Sequence, residues 1–225
     1  LSVYGGEKIE KQIKNLKKNQ QIIVGTPGRT KDLIKRKKLF LGDTKRLIMD
    51  ESDEMLSMGF QEDLEFILNS SSIDKNILLF SATMTKKVIA VTKKYMKNPV
   101  EISVTKLNRG ADNINHIFYM VHAKDRYEVV KRIADMNPDI YGIVFCRTRR
   151  ETKDVANKLI IDHYNADTIH GDLAQSERDE VMMRFRKKKI QILVATDVAA
   201  RGLDVEELTH VINYNLPDDD ETYIH

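Results

Sequence analysis

Short apolar runs rich in Ile, Leu and Val alternate along this chain with longer segments of helical period, and that alternation narrows the fold more than any other feature. A continuous apolar run too short for a helix suits a strand buried on both faces, and such strands sit in parallel sheets whose crossovers are helices. In the first half, residues 21–25, 45–50, 76–80 and 100–104 read as buried strands. Residues 7–18 place Ile9, Ile13 and Leu16 on one face, residues 61–69 group Leu64, Ile67 and Leu68, and residues 86–96 repeat the pattern, so these read as crossover helices. Residues 105–113, with Asn108, Gly110, Asp112, Asn113 and few large apolar side chains, read as a linker. A second series follows, with strands at 115–121, 141–146, 166–170, 190–195 and 210–214 and helices at 124–136, 151–163 and 175–188. The expected architecture is α/β, with one parallel-sheet domain at 1–104 and another at 114–225.

Composition removes several classes. The longest apolar run, residues 140–146, is far short of the ~20 residues that span a bilayer as a helix, so a soluble, cytoplasmic protein with no membrane partner is expected. The single cysteine, Cys146, cannot form an internal disulfide and reads as a small buried hydrophobe. Lys and Arg number 37 against 34 Asp and Glu, and a net charge of +3 does not by itself demand a nucleic-acid partner. Basic clusters at Lys8, Lys11, Lys14, Lys17 and Lys18, at residues 31–38 and at 184–189 are solvated helix faces that permit phosphate binding. The histidines show no metal-ligand spacing, so no structural zinc is expected. The chain begins at Leu1, shows no secretory signal, and reads as a fragment.

In an open parallel sheet, ligands gather beyond the carboxyl ends of the strands, so polar residues there carry the chemistry. Asp50-Glu51-Ser52-Asp53 is such a place. Adjacent carboxylates can hold a hydrated Mg²⁺ through Asp50 and orient a water through Glu51, while the same residue types also start helices. One strand later, Ser81-Ala82-Thr83 brings two hydroxyls to the rim, either as turn formers or as partners for Asp53. Thr26-Pro27-Gly28-Arg29 ends a strand and opens a helix, where backbone N–H groups and Arg29 can grip an anion. In the second half, Thr196-Asp197 and Arg201-Gly202-Leu203-Asp204 lie just past a buried strand. His170-Gly171-Asp172 follows another, with Gln175 and Arg178 on one face of the next helix.

Taken in order, these segments resemble the DEAD-box RNA helicases of superfamily 2, in wording nearest the bacterial members. The resemblance rests on Gly5-Gly6, Thr26 to Arg29, Asp50 to Asp53, Ser81 to Thr83, the run 143–148 ending in Thr148, Gln175 with Arg178, Thr196 to Asp204, and Tyr223-Ile224-His225. It implies two RecA-like domains that close on ATP and one RNA strand. It further implies that Asp50 holds Mg²⁺ through water, that Glu51 activates the hydrolytic water, and that Asp53 bonds Ser81, Thr83 and His225 to couple hydrolysis with RNA binding. Gly202 and Asp204 would approach the nucleotide, Asp204 at its ribose. Gly6, Thr26, Gly28, Arg29, Thr148, Gln175, Arg178, Thr196 and Gly202 would line the RNA path, touching phosphates and 2′-hydroxyls more than bases.

Three departures qualify the resemblance. Ser52 stands where the family has Ala, and no Gly-Lys dipeptide occurs, so a G-x-x-x-x-G-K-[ST] phosphate loop is absent from these 225 residues. The family's closing arginines are absent too. The expectation is therefore a helicase core fragment, truncated at both ends and inactive alone. The alternative is a non-hydrolysing RNA-binding scaffold, against which the intact Asp50-Glu51 and Ser81-Ala82-Thr83 argue. A DNA translocase is the third reading, disfavoured by the Thr26–Arg29 and Thr196–Asp204 wording.

Overall fold

The computed structural model describes residues 1–103, 114–200, 205–217 and 223, with Val198 and Ala200 described by backbone alone. Two compact units divide the chain, Leu1–Gly110 and Ala111–His225.

The first unit opens with β1 (Ser2–Val3), α1 (Ile9–Leu16), β2 (Val24–Gly25) and α2 (Pro27–Lys35). It continues with β3 (Arg46–Met49), α3 (Ser52–Ser57), α4 (Gln61–Ser70), β4 (Asn76–Leu79) and α5 (Lys86–Tyr95). All pairings are parallel. β1 runs beside β2 with Val3 opposite Gly25, and β3 beside β4 with Met49 opposite Leu79. Gly25 is required by close approach, since a Cβ there would lie 2.3 Å from the Thr30 hydroxyl and 2.8 Å from a Val3 methyl. Met49 packs with Leu56, Leu64, Leu68, Val88 and Val91 into one core, and Leu33, Leu39 and Val3 form a second with α1. α5 starts at Thr85, whose hydroxyl accepts the Val88 N–H. β3 turns only one face to its helices: Met49 is buried while Ile48 between the alternate positions is 60% exposed.

The second unit has a short 3-10 turn at Ala123–Asp125, then α6 (Arg126–Met136), β5 (Gly142–Cys146), α7 (Arg149–Ile161) and β6 (Ala166–Ile169). α8 (Gln175–Arg186), β7 (Ile192–Thr196), α9 (Asp197–Ala200) and β8 (His210–Asn213) complete it. The strands form one parallel sheet in the order β6-β7-β5-β8. Alternation along β5 and β7 sends Val144, Cys146, Ile192 and Val194 into a core with α6 and α7. The intervening Ile143, Leu193 and Ala195 join a core on the opposite face with Phe185 and Met182 of α8. Helices thus cover both faces, which is why these strands read as unbroken apolar runs. Gly142 must be glycine for β8 to lie against β5, because a Cβ would sit 2.7 Å from the His210 carbonyl oxygen.

The structure departs from the periodicity at two places. Residues 100–103 are not a strand, and neither are residues 114–121, where Phe118 is 85% and Met120 91% exposed. A strand exists only by pairing, and among the described residues no ladder reaches either segment. Their apolar character marks a segment suited to burial without saying against what. The expected linker at 105–113 lies outside the described residues, as does Val104.

Cys146 is buried, and burial, with the Glu151 and Asp197 carboxylates nearby, pushes its thiol up to about 12. Thiol-reagent labelling at pH 8 is therefore expected only as the second unit unfolds, with a urea midpoint coincident with loss of ellipticity. Gly142→Ala should move both midpoints to lower urea by the equivalent of about 1–3 kcal/mol, the cost of overpacking against backbone. Rapid labelling of the folded chain would contradict this burial.

Candidate functional site

The parallel register of β3 and β4 sets Asp50 beside Phe80, so two loops leave the sheet side by side. Asp50 and Glu51 are exposed, whereas Ser52 and Asp53 are buried in the first turn of α3. Glu51 holds φ 50°, ψ 48°, the left-handed region, and its N–H donates to Asp50 Oδ1 at 3.0 Å. Such a conformation in a non-glycine residue persists only where its surroundings fix it. Here Ser52 does so: its N–H and its hydroxyl both donate to the Phe80 carbonyl, at 3.1 and 2.9 Å. The hydroxyl that replaces the family's methyl is therefore engaged with the neighbouring strand end.

Asp53 forms the second tie between these loops. Its Oδ2 accepts the Thr83 N–H at 2.7 Å and the Thr83 hydroxyl at 2.6 Å, while Oδ1 accepts the Glu54 N–H at 3.1 Å. Hydrogen bonds to a buried carboxylate are charge-assisted and strong. The Ser81 hydroxyl donates to the Thr83 carbonyl at 2.7 Å, shaping the same loop. Among the described residues, no group of three or more His, Cys, Asp or Glu side chains could hold a metal ion.

At the other strand pair, Gly6 takes φ +85° in the turn after β1, and Thr26 in extended conformation leads into α2, where Pro27 fills the first position. No side chain caps this helix, so the first-turn N–H groups of Gly28 and Arg29 belong to the donors a helix start leaves open. Arg29 Nη1 donates to the Glu7 carbonyl at 3.2 Å and to Gln12 Oε1 at 3.0 Å. Gly6, Thr26, Gly28 and Arg29 are thus gathered on neighbouring strand ends. Gln12 and Glu7 were not singled out from the sequence. The available signal was one amide among Ile9, Ile13 and Leu16 on the apolar face of α1.

In the second unit Cys146 lies opposite Thr196 and Ile169 opposite Ala195, so three strands end level. Thr148 caps α7 by accepting the Glu151 N–H. Arg178 Nη2 donates to the Gly171 carbonyl at 3.0 Å, and its Nε is buried without a hydrogen-bond partner. Gln175, one turn away, donates to Asp179. Asp172 pairs with Arg149 and with Lys153, the latter at 3.1 Å, and these bonds hold its carboxyl below the usual range. His170 is buried, and desolvation, followed by the Lys153 charge, lowers its pKa. Thr196 is buried at the end of β7. Thr148, Gly171, Arg178 and Thr196 therefore share one rim, where Asp172 is paired with Arg149 and Lys153 and Arg178 bonds a peptide carbonyl. Arg201, Gly202, Asp204 and His225 lie outside the described residues.

Known proteins match this arrangement along its length. The DEAD/DEAH box helicase family model matches residues 1–91, and the helicase conserved C-terminal domain matches residues 125–225. The ATP-dependent RNA helicase CshA of Listeria monocytogenes is 44% identical over 225 residues, which are 100% of this chain and 43% of that protein. A probable ATP-dependent RNA helicase of Methanocaldococcus jannaschii is 48% identical over 223 residues, covering 99% of this chain and 59% of that protein. The chain thus spans roughly half the length of these curated relatives. Among solved structures, Saccharomyces cerevisiae Dbp5 bound to RNA and ADP BeF3 superposes with a TM-score of 0.83 at 28% identity, over 99% of this chain and 58% of that one. A crystal structure of a DEAD box protein from the M. jannaschii hyperthermophile gives a TM-score of 0.50 at 48% identity, over 99% and 60%. The two family models follow one another in the order of the two RecA-like units, the Asp50-Glu51-Ser52-Asp53 turn falls within the first, and the chain belongs to the DEAD-box helicase family.

Proposed function

We propose that these residues form core parts of an RNA-dependent ATPase that opens short RNA duplexes, with an N-terminal RecA-like domain at 1–104, a linker at 105–113 and a C-terminal RecA-like domain at 114–225. The observation that carries this reading is the Asp53–Thr83 pair, which ties the carboxylate-bearing strand end to the next one through two short hydrogen bonds. Asp50, exposed and among the described residues accepting from the neighbouring Glu51 N–H alone, suits a cation held through water. Mg²⁺ bound with ATP would neutralise charge on the phosphates. Glu51, placed beside Asp50 by its left-handed backbone, orients the attacking water and takes its proton. Ser81 and Thr83, with His225, relay the state of this turn, and Gly202 and Asp204 approach the nucleotide.

RNA is held by Gly6, Thr26, Gly28 and Arg29 in one unit and by Thr148, Gln175, Arg178, Thr196 and Gly202 in the other. Helix-start N–H groups and guanidinium groups meet phosphates, and contacts to 2′-hydroxyls select RNA over DNA. No helix among the described residues is long and apolar enough to cross a membrane. The bacterial relatives support a cytoplasmic setting. Residues 1–225 alone are proposed not to turn over ATP, because they contain no Gly-Lys phosphate loop.

In a protein carrying these residues together with such a loop, Glu51→Gln is expected to leave ATP and RNA binding intact and to lower turnover by about 10²–10⁴-fold, the range of a lost general base. Phosphate release at the parent rate would remove Glu51 from this role. Arg178→Ala is expected to weaken single-stranded RNA binding uniformly across sequences and to reduce the salt slope by about 0.7, one phosphate contact on a single strand. Fluorescence anisotropy across a salt series measures both, and an unchanged slope would refute the contact.

A further inference from the structure

Gln12 is 1% exposed, on a helix face otherwise made of Ile9, Ile13 and Leu16. An apolar residue there would bury with less loss, since an amide leaves water favourably only when its hydrogen bonds are replaced. They are replaced from three segments. Nε2 donates to the Tyr4 carbonyl at 3.0 Å, just before the Gly5-Gly6 turn, and to Glu7 Oε2 at 3.1 Å. Oε1 accepts from Arg29 Nη1 at 3.0 Å.

The division of Glu7 between its neighbours is the informative part. Its Oε1 is taken by Lys11 at 2.6 Å and its Oε2 by Gln12, so Arg29 meets only the Glu7 carbonyl oxygen and not the carboxylate. Among the described residues, Arg29 Nε and Nη2 have no protein acceptor. A guanidinium anchored by one nitrogen, with its remaining N–H groups unspent, is prepared for a bidentate oxyanion. The Glu7 carboxylate already feels the Arg29 charge, and without the amide its Oε2, which Gln12 now occupies, is left open to Arg29. That ion pair would compete directly with a phosphate.

We propose that Gln12 is a positioning residue that holds Arg29 off the Glu7 carboxylate and keeps it open to an RNA phosphate, an inference that rests on the RNA path proposed above. It acts through Arg29 and the Gly5-Gly6 turn without touching RNA itself.

The test is a cycle of four variants of the 225-residue chain, read by anisotropy with a fluorescein-labelled single-stranded RNA over a range of salt concentrations. Gln12→Met keeps the volume and deletes the amide. It is expected to raise Kd about tenfold, the scale of one hydrogen bond to a charged group, and to reduce the salt slope by about 0.7. Arg29→Ala should do the same. In a Glu7→Gln background the competing carboxylate is gone, and the cost of Gln12→Met should shrink to about threefold or less, a coupling that a purely structural role would not produce. An equal cost in both backgrounds overturns the proposal. So does an unchanged Kd in Gln12→Met where Arg29→Ala loses affinity. If Arg29→Ala itself leaves Kd and slope unchanged, the RNA reading of this turn fails and the proposal with it. Should circular dichroism find Gln12→Met unfolded, Gln12→Asn, an amide one methylene too short to reach all three partners, takes its place with the same expectations.

Discussion

The buried carboxylate of Asp53 is the constraint around which the first rim is organised. A charge so far from water is tolerated only if it is met by donors, and the Glu54 N–H and two groups of Thr83 on the neighbouring loop are among those that meet it. That requirement ties β4's exit to the start of α3, which in turn fixes the peptide before it. Glu51 sits in a left-handed conformation, and the Phe80 carbonyl receives both donors of Ser52 one residue later. The exposed pair Asp50-Glu51 therefore stands on a buried pair, Ser52-Asp53, each of which bonds the adjacent strand end through Phe80 or Thr83. Reactive groups in water are positioned by groups that never meet it.

The second unit reaches a comparable rim by different means. Its strands are covered on both faces and its rim residues are aligned by ladder register more than by side-chain bonds. There the polar bonds adjust the surface charge. Asp172 is shared by two cations, and Arg178 rests on a peptide carbonyl that carries no net charge. The Arg178 guanidinium is thus held in place by a neutral partner.

Much of this was legible in the sequence because burial writes a period. β3, β4, β5, β7 and β8 fall where apolar runs lie, and the polar residues that follow each run stand at the strand ends. What periodicity lacks is the partner. Residues 100–103 and 114–121 have strand-like composition but no ladder among the described residues, because pairing is decided by chain far away in sequence. β1, at two residues, is too short to leave a pattern, and of the run 21–25 only Val24–Gly25 pair, with Val24 66% exposed. Gln12 was illegible for another reason: a single amide within an apolar stripe looks like the boundary of the stripe, and only the fold reveals that the stripe's centre is polar. The direction of the Ser81 hydroxyl, toward the Thr83 carbonyl, likewise depends on backbone angles that residue type does not encode.

The strand order of the second unit has a consequence for how the chain is made. β5 lies between β7 and β8, both of which follow it, and Tyr141 at its edge bonds Thr209, 68 residues later. On the ribosome, at ~5–20 residues per second, the segment entering β5 waits roughly 3–14 s for its last neighbour to be synthesised. Until β7 emerges both edges of this apolar strand are open, and the edge that β8 fills stays open for the whole interval, so during synthesis β5 offers a chaperone a place to hold.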